Sequence, residues 1–367
     1  MWFERVKNIL TKFYCSILKC TTLKNLIDVA EAIIRSGSAI TSTIARDMGL
    51  RNKKTFSANI KSISRLLNDG NFQVDDSFFR KLIKIVFHSM NKENLLKKGD
   101  NLQINVDFTS STDDFLILVA SVKFHDRAIP LYFSTRVYAK RKDQYNQIKM
   151  EKAFINELRH LLPKKYTYTI VADRGFGNLR FAEYCESAGF SFVLRLNDNL
   201  NVKINGEKKN LKDFSGQTTS FDAYVSKWKK NFHFEVKTKN GSTWFLLMPL
   251  DASNGATKYE QRFSIEKCFQ DQKSSGFDIE NSKIRKYPNF RRLYALVCLA
   301  QIFTVICGEY IQTKKKDLLK RITNNRKRVL SIFQIGAFFC QRMFSEIEEI
   351  VKSIFREFLP LEKNGVR

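Results

Sequence analysis

Four side chains at fixed spacing, Tyr259, Arg262, Glu266 and Lys273, stand in the stretch YEQRFSIEKCFQDQK, residues 259–273. On one α-helix at about 100° per residue they fall at about 0°, 300°, 340° and 320°, a single stripe. Taken alone, such a stripe is an ordinary solvated face with i, i+4 ion pairing. A carboxylate set among cations is also what a site needs if it holds a metal and a phosphate ester. Two aspartates elsewhere favour the second reading. Asp107 lies on the polar face of the alternating run NLQINVDFTSS, and Asp173 ends the run YTYTIVAD. Strand ends in an open α/β sheet are where ligands gather. A crossover to the sheet centre makes these two strands neighbours, and a helix across that edge brings Glu266 to the same point. Converging carboxylates repel one another unless a divalent cation lies between them. Hard oxygen donors select Mg²⁺ or Mn²⁺.

The elements that must position these residues are legible in the periodicity. Residues 1–100 read as an all-α domain, with apolar positions three and four apart through LIDVAEAIIRSG, AITSTIARDMGL and FSANIKSISRLLNDGNF. Within it, a helix, a turn at Gly49 and a second helix preceded by Arg51, Lys53 and Lys54 have the layout of a helix-turn-helix, with Lys53 and Lys54 as candidate DNA contacts. From Leu102 the period switches to two, and three strands precede a helix, a strand ending at Asp173, another helix and a fifth strand, an α/β order. Gly175 and Gly177 lack the third glycine of a nucleotide loop, so a tight turn accounts for them. Residues 198–256 hold short alternating runs parted by NG, SG and NG turns and read as a β insertion. The expected division is therefore a helical DNA-binding domain at 1–100, a catalytic core at 101–197 and 257–312 around the insertion at 198–256, and a basic helical region at 313–367.

Lys and Arg number 63 against 37 Asp and Glu, a net charge of +26, which makes a polyanion the first candidate partner. The densest basic stretch is Lys314 to Arg328, with eight basic residues in fifteen. Lys140, Arg141 and Lys142 either line a DNA channel or are solvated, and Arg174 either contacts phosphate or pairs with a carboxylate. LYALVCLAQIFTVICG, from Leu293 to Gly308, is short for a membrane span and reads as a buried helix, so no membrane partner is expected. Seven cysteines without a C-x-x-C pair, and no secretory signal, fit a reducing cytoplasm and give no zinc site.

Together these residues resemble the bacterial insertion-sequence transposases of the DDE superfamily, in particular the group marked by Y-x2-R-x3-E-x6-K. Tyr259, Arg262, Glu266 and Lys273 match that signature at every spacing, and VDFTSS, RAIPLYF and VADRGFGN are similar to the group's acidic motifs. The resemblance covers roughly residues 101–310. It implies an RNase H-like core, a mixed five-stranded sheet with helices interrupted by a β-rich insertion, and an enzyme that performs cut-and-paste transposition. It implies two divalent ions held by Asp107, Asp173 and Glu266, DNA phosphates held by Tyr259, Arg262 and Lys273, and a hairpin at the element's end. It also implies Trp244 on an insertion strand as the stacking surface for an extruded base. The partners would be the element's terminal inverted repeats and target DNA, bound by a homodimer in a synaptic complex, and the location the bacterial cytoplasm at the nucleoid. Two other readings stand beside it: a non-catalytic DNA-binding protein derived from such an enzyme, and an RNase H-fold nuclease acting on structured nucleic acid.

Overall fold

The computed structural model describes residues 11, 14–16, 18–111, 115–137, 144–322 and 330–342. Asp113, Asp114, Lys140, Arg141, Lys142 and the chain beyond Arg342 lie outside the described residues. In chain order the helices and strands are α1 (Cys20–Ser36), α2 (Thr41–Asn52), α3 (Phe56–Asn68), α4 (Asp76–Lys92), β1 (Asn101–Ser111), β2 (Phe115–Phe124), β3 (Arg127–Val137), α5 (Gln144–Leu161), β4 (Thr167–Ala172), α6 (Leu179–Ser187) and β5 (Ser191–Leu196). There follow β6 (Asn201–Ile204), β7 (Glu207–Asn210), β8 (Thr219–Val225), β9 (Lys230–Lys239), β10 (Ser242–Met248), α7 (Gly255–Arg262), α8 (Ser264–Gln272), α9 (Tyr287–Lys314), α10 (Lys316–Ile322) and α11 (Ile332–Arg342). They divide between two compact units, one formed from Met1–Leu96, Ser111–Phe115 and Cys268–Arg367, the other from Lys97–Ser110 and Leu116–Lys267.

The first unit is helical and built around α9. Pro288 opens that helix, where a missing N–H costs nothing. By length and composition α9 could cross a membrane, but its apolar window is wholly buried within the protein, against α1, α3, α4 and α11. Where α11 crosses it the two backbones nearly touch: a Cβ on Gly308 would lie 1.7 Å from the Ile332 carbonyl oxygen. Buried polar groups on α8 and α9 satisfy one another, with Tyr294 donating to Gln272 and Gln272 to Gln301, each at 2.7 Å. Without such partners each would carry the cost of an unpaired buried dipole.

The N-terminal helices differ in detail from the sequence expectation. Gly49 and Arg51 lie inside α2, and the turn into α3 comes at Lys53, which adopts φ 56°. Arg51 does not face outward for DNA. It pairs with Glu31 at 2.9 Å and Asp47 at 3.1 Å, fastening α2 to α1. Lys53 and Lys54 are exposed in the turn, and the Thr55 hydroxyl caps α3 by accepting from the Ala58 N–H.

The second unit is a mixed sheet with helices. All ten strands form one sheet in the order β3-β2-β1-β4-β5-β10-β9-β8-β6-β7. The strands after Leu196 thus build no sheet of their own: β10 joins β5 antiparallel, pairing Phe245 with Leu196 and Leu247 with Leu194. This differs from the expected five strands plus a separate insertion, and the reason is physical. A five-stranded sheet ending at β5 would leave a row of unpaired backbone groups, which β10 covers. β1 and β4 run parallel in register from Asn101–Thr167 to Val106–Ala172, and β4 and β5 are also parallel.

Candidate active site

Val106 and Ala172 are the last paired residues of two adjacent parallel strands. Asp173 follows the end of β4, while Asp107 lies within β1, which runs on to Ser111, just past the point where the pairing with β4 stops. Asp173 caps the single 3-10 turn Arg174–Phe176, accepting from the Gly175 N–H at 2.9 Å. Asp107 accepts from the Phe108 N–H at 2.8 Å. Neighbours of the two aspartates are in contact: the Phe108 and Phe176 rings stack with centroids 5.2 Å apart and planes 6° from parallel. Phe176 also packs against Phe181 on α6. These rings, which the sequence reading passed over, set the spacing of the two aspartates. The signal for them was the phenylalanine placed one residue after Asp107 and three after Asp173.

The turn after β4 fits because Gly177 has no side chain. A Cβ there would lie 2.2 Å from the Arg195 carbonyl oxygen on β5, although its φ of −74° is open to any residue. Close approach, then, rather than backbone freedom explains this glycine. Gly177→Ala is expected to push the turn off β5 at a cost of about 1–3 kcal/mol, read as a lower midpoint in chemical denaturation.

Arg262, the last residue of α7, reaches two of the three candidate acids. Its Nη1 donates to Asp107 Oδ2 at 2.8 Å and its Nη2 to Glu266 Oε1 at 2.7 Å. The Arg262 side chain is 4 % exposed, Asp107 18 % and Glu266 47 %. The guanidinium is flanked by aromatic rings, with Cζ 5.2 Å from the Tyr259 centroid and 5.0 Å from that of Phe263. Ser264, opening α8, accepts from buried Asn105 of β1 at 3.2 Å, and Gln103 donates to the Lys258 carbonyl, so α7 and the start of α8 are pinned along β1.

The stripe expected from the signature is not one straight helix. The path is interrupted at Phe263, between α7 and α8, and Lys273 follows the end of α8. Tyr259 is fully buried, not part of an exposed face, and its hydroxyl has no hydrogen-bond partner among the described residues. Lys273 belongs to the helical unit, where it pairs with Glu280 at 3.0 Å. Trp244 is only 7 % exposed, in a core cluster with Val171, Val193, Leu246, Met248 and Tyr259. Its ring meets Tyr259 edge-on at 5.1 Å and Phe263 at 5.9 Å. A ring held in this way offers no open face for a base. The exposed aromatic of the group is Phe263, at 36 %, and Arg174 is exposed in the turn after Asp173.

Burial pushes the Asp107 carboxyl up to about 6, against the lowering effect of Arg262 and with a further raising effect from the Asp173 charge. The sign for stability follows directly. Because the folded value lies above the unfolded one, Asp107 supports folding below about pH 4, and that support is lost as pH rises through 6. In the absence of divalent ions, wild type is expected to lose on the order of 3 kcal/mol relative to Asp107→Asn between about pH 4 and pH 7, measured as the difference between their denaturation midpoints.

Asp107 and Asp173, close enough for the Asp173 charge to raise the Asp107 carboxyl, are hard oxygen donors of the kind a divalent ion takes. Among the described residues no group of three or more His, Cys, Asp or Glu side chains is gathered around one metal position. Glu266, the third acid, is engaged by Arg262 instead.

Residues 137–303 match a family model described as transposase DDE domain. Asp173, Arg262 and Glu266 fall within the match, and Asp107 precedes it. No curated protein matches the chain.

Proposed function

We propose that this chain, with a transposase DDE domain at residues 137–303, is a DNA transposase that cuts the ends of an insertion sequence and joins them to target DNA by metal-dependent phosphoryl transfer. The observation that carries the reading is the position of Asp107 on β1 and Asp173 after β4, each just past the end of their parallel pairing, with Arg262 of α7 bonded to both Asp107 and Glu266. The strand order β3-β2-β1-β4-β5 supports taking the first five strands as an RNase H-like core.

Asp107, Asp173 and Glu266 would hold two Mg²⁺ or Mn²⁺ ions. Bound there, the ions supply Lewis acidity for water, then for a 3′-hydroxyl, and stabilise the leaving oxygen of an in-line displacement. The protein's own share is positioning and charge. The Phe108–Phe176 stack and the β1–β4 pairing keep the aspartates at fixed separation. Arg262 supplies a guanidinium fork that suits a phosphate's paired oxygens, Arg174 adds a second fork beside Asp173, and Lys273, on the helical unit, is a separate point charge for a phosphate. Tyr259, buried beneath Arg262, supports that side chain. The exposed Lys53 and Lys54 contact backbone phosphates from the helical unit. A homodimer brings two ends together, a hairpin forms at the cut end, and the reaction takes place at the bacterial nucleoid.

A plasmid carrying the reading frame with its native flanks, incubated with the purified chain, tests this. The reading expects a linear fragment released at short inverted repeats in Mg²⁺ and none in EDTA. Tight binding to those repeats with no cleavage in any divalent ion would favour the non-catalytic DNA-binding reading. Cleavage of RNA–DNA hybrids or four-way junctions in preference to the repeats would favour the nuclease.

A further inference from the structure

We infer that Arg262 is a built-in counter-ion for the acidic site: with no DNA bound its guanidinium takes the place of a divalent ion, and a metal enters as Arg262 releases Asp107 and Glu266. The inference rests on the transposase reading and deepens it. Asp107, Asp173 and Glu266 together carry three negative charges, and Arg262 is the cation that bonds to two of them. Both oxygens of Asp107 are already engaged, Oδ1 by the Phe108 N–H and Oδ2 by Arg262. A divalent ion approaching the same oxygens meets a positive guanidinium at contact distance, where repulsion in a half-buried site is poorly screened.

The contacts are built for exchange rather than permanence. The Glu266 half of the bridge is open to solvent while the Asp107 half is enclosed, so release begins at Glu266. The guanidinium lies against the rings of Tyr259 and Phe263, which give it a surface to move over, and its buried Nε makes no hydrogen bond among the described residues. A phosphodiester at the edge of β1 and β4 is the anion that can accept the released fork, since phosphate and carboxylate are recognised by the same paired N–H groups. Substrate and metal therefore load together: the phosphate takes the arginine, and the carboxylates are left to the metal. A DNA-free chain would hold Mg²⁺ weakly and be restrained from unguided cutting.

Mn²⁺ binding to the full chain without DNA, followed by the electron paramagnetic resonance signal of free Mn²⁺, tests this without reading activity. Arg262→Gln is expected to bind Mn²⁺ about tenfold more tightly than wild type, because a positive charge beside the incoming ion is removed, and Arg262→Lys, which keeps the charge and loses the fork, to fall between them. Thermal unfolding gives a second readout: Arg262→Gln should melt below wild type in EDTA and recover more of the difference on adding Mn²⁺ than wild type gains. Equal or weaker Mn²⁺ binding by Arg262→Gln and Arg262→Lys overturns the inference. Asp173→Asn separates this from the reading beneath it. If that variant binds Mn²⁺ as wild type does, the acids do not form the metal site, and both fall together.

Discussion

Asp173→Asn is expected to slow strand cleavage in Mg²⁺ by about a thousandfold or more, with binding to the element's ends retained. The substitution is close to isosteric and leaves an amide oxygen to accept from the Gly175 N–H, so the 3-10 turn after β4 keeps its cap. What disappears is one negative charge beside Asp107, just past the end of the β1–β4 pairing. Asp107→Asn should act alike and for a sharper reason. Its carboxyl is mostly buried and costly to ionise, so an acid at this position is hard to account for by stability. The Phe108 N–H keeps an acceptor in the amide, and Arg262 keeps Glu266. Single-turnover cleavage rates beside binding isotherms check the pair. A variant that cuts at the wild-type rate removes the carboxylates from the chemistry.

The second large effect concerns Trp244. As an exposed stacking platform, its loss would spare the fold and harm only steps that extrude a base. As a core residue, 7 % exposed and packed against Tyr259 and Phe263, its replacement by alanine is expected to destabilise the protein by about 3–5 kcal/mol. Trp244→Phe fills much of the space and should cost well under half of that. The consequence reaches the site, because Tyr259 supports Arg262 from beneath. Chemical denaturation of the two variants reads the difference, and a fully stable Trp244→Ala would return the ring to the surface.

The strand positions of Asp107 and Asp173 were the most legible feature. Alternation along NLQINVDFTSS and the end of YTYTIVAD place Asp107 and Asp173 by a period that any strand must obey, and the parallel pairing of β1 and β4 follows from the intervening helix. Arg262 and Glu266, four apart on a helical path, were legible as a pair for the same kind of reason. The wheel went too far at Tyr259 and Lys273. It assumes one straight cylinder, whereas Phe263 interrupts the path and Lys273 lies past the end of α8. Trp244 was illegible because the run STWFLLM is almost uniformly apolar, so alternation does not say which face is open. The joining of β10 to β5 was hidden likewise, since period two marks a strand and not its neighbour. In α2 the glycine drew the eye, but the chain turns at Lys53 with a left-handed backbone that lysine adopts uncommonly.

The most direct test replaces a non-bridging oxygen of the scissile phosphate at the element's end with sulfur and compares Mg²⁺ with Mn²⁺. Sulfur binds Mg²⁺ poorly and Mn²⁺ better, so a phosphate held by a metal on Asp107 and Asp173 predicts cleavage that falls in Mg²⁺ and recovers in Mn²⁺. The same recovery should be missing in Asp173→Asn. Cleavage that proceeds equally in EDTA, or that Asp173→Asn leaves intact, would contradict the account.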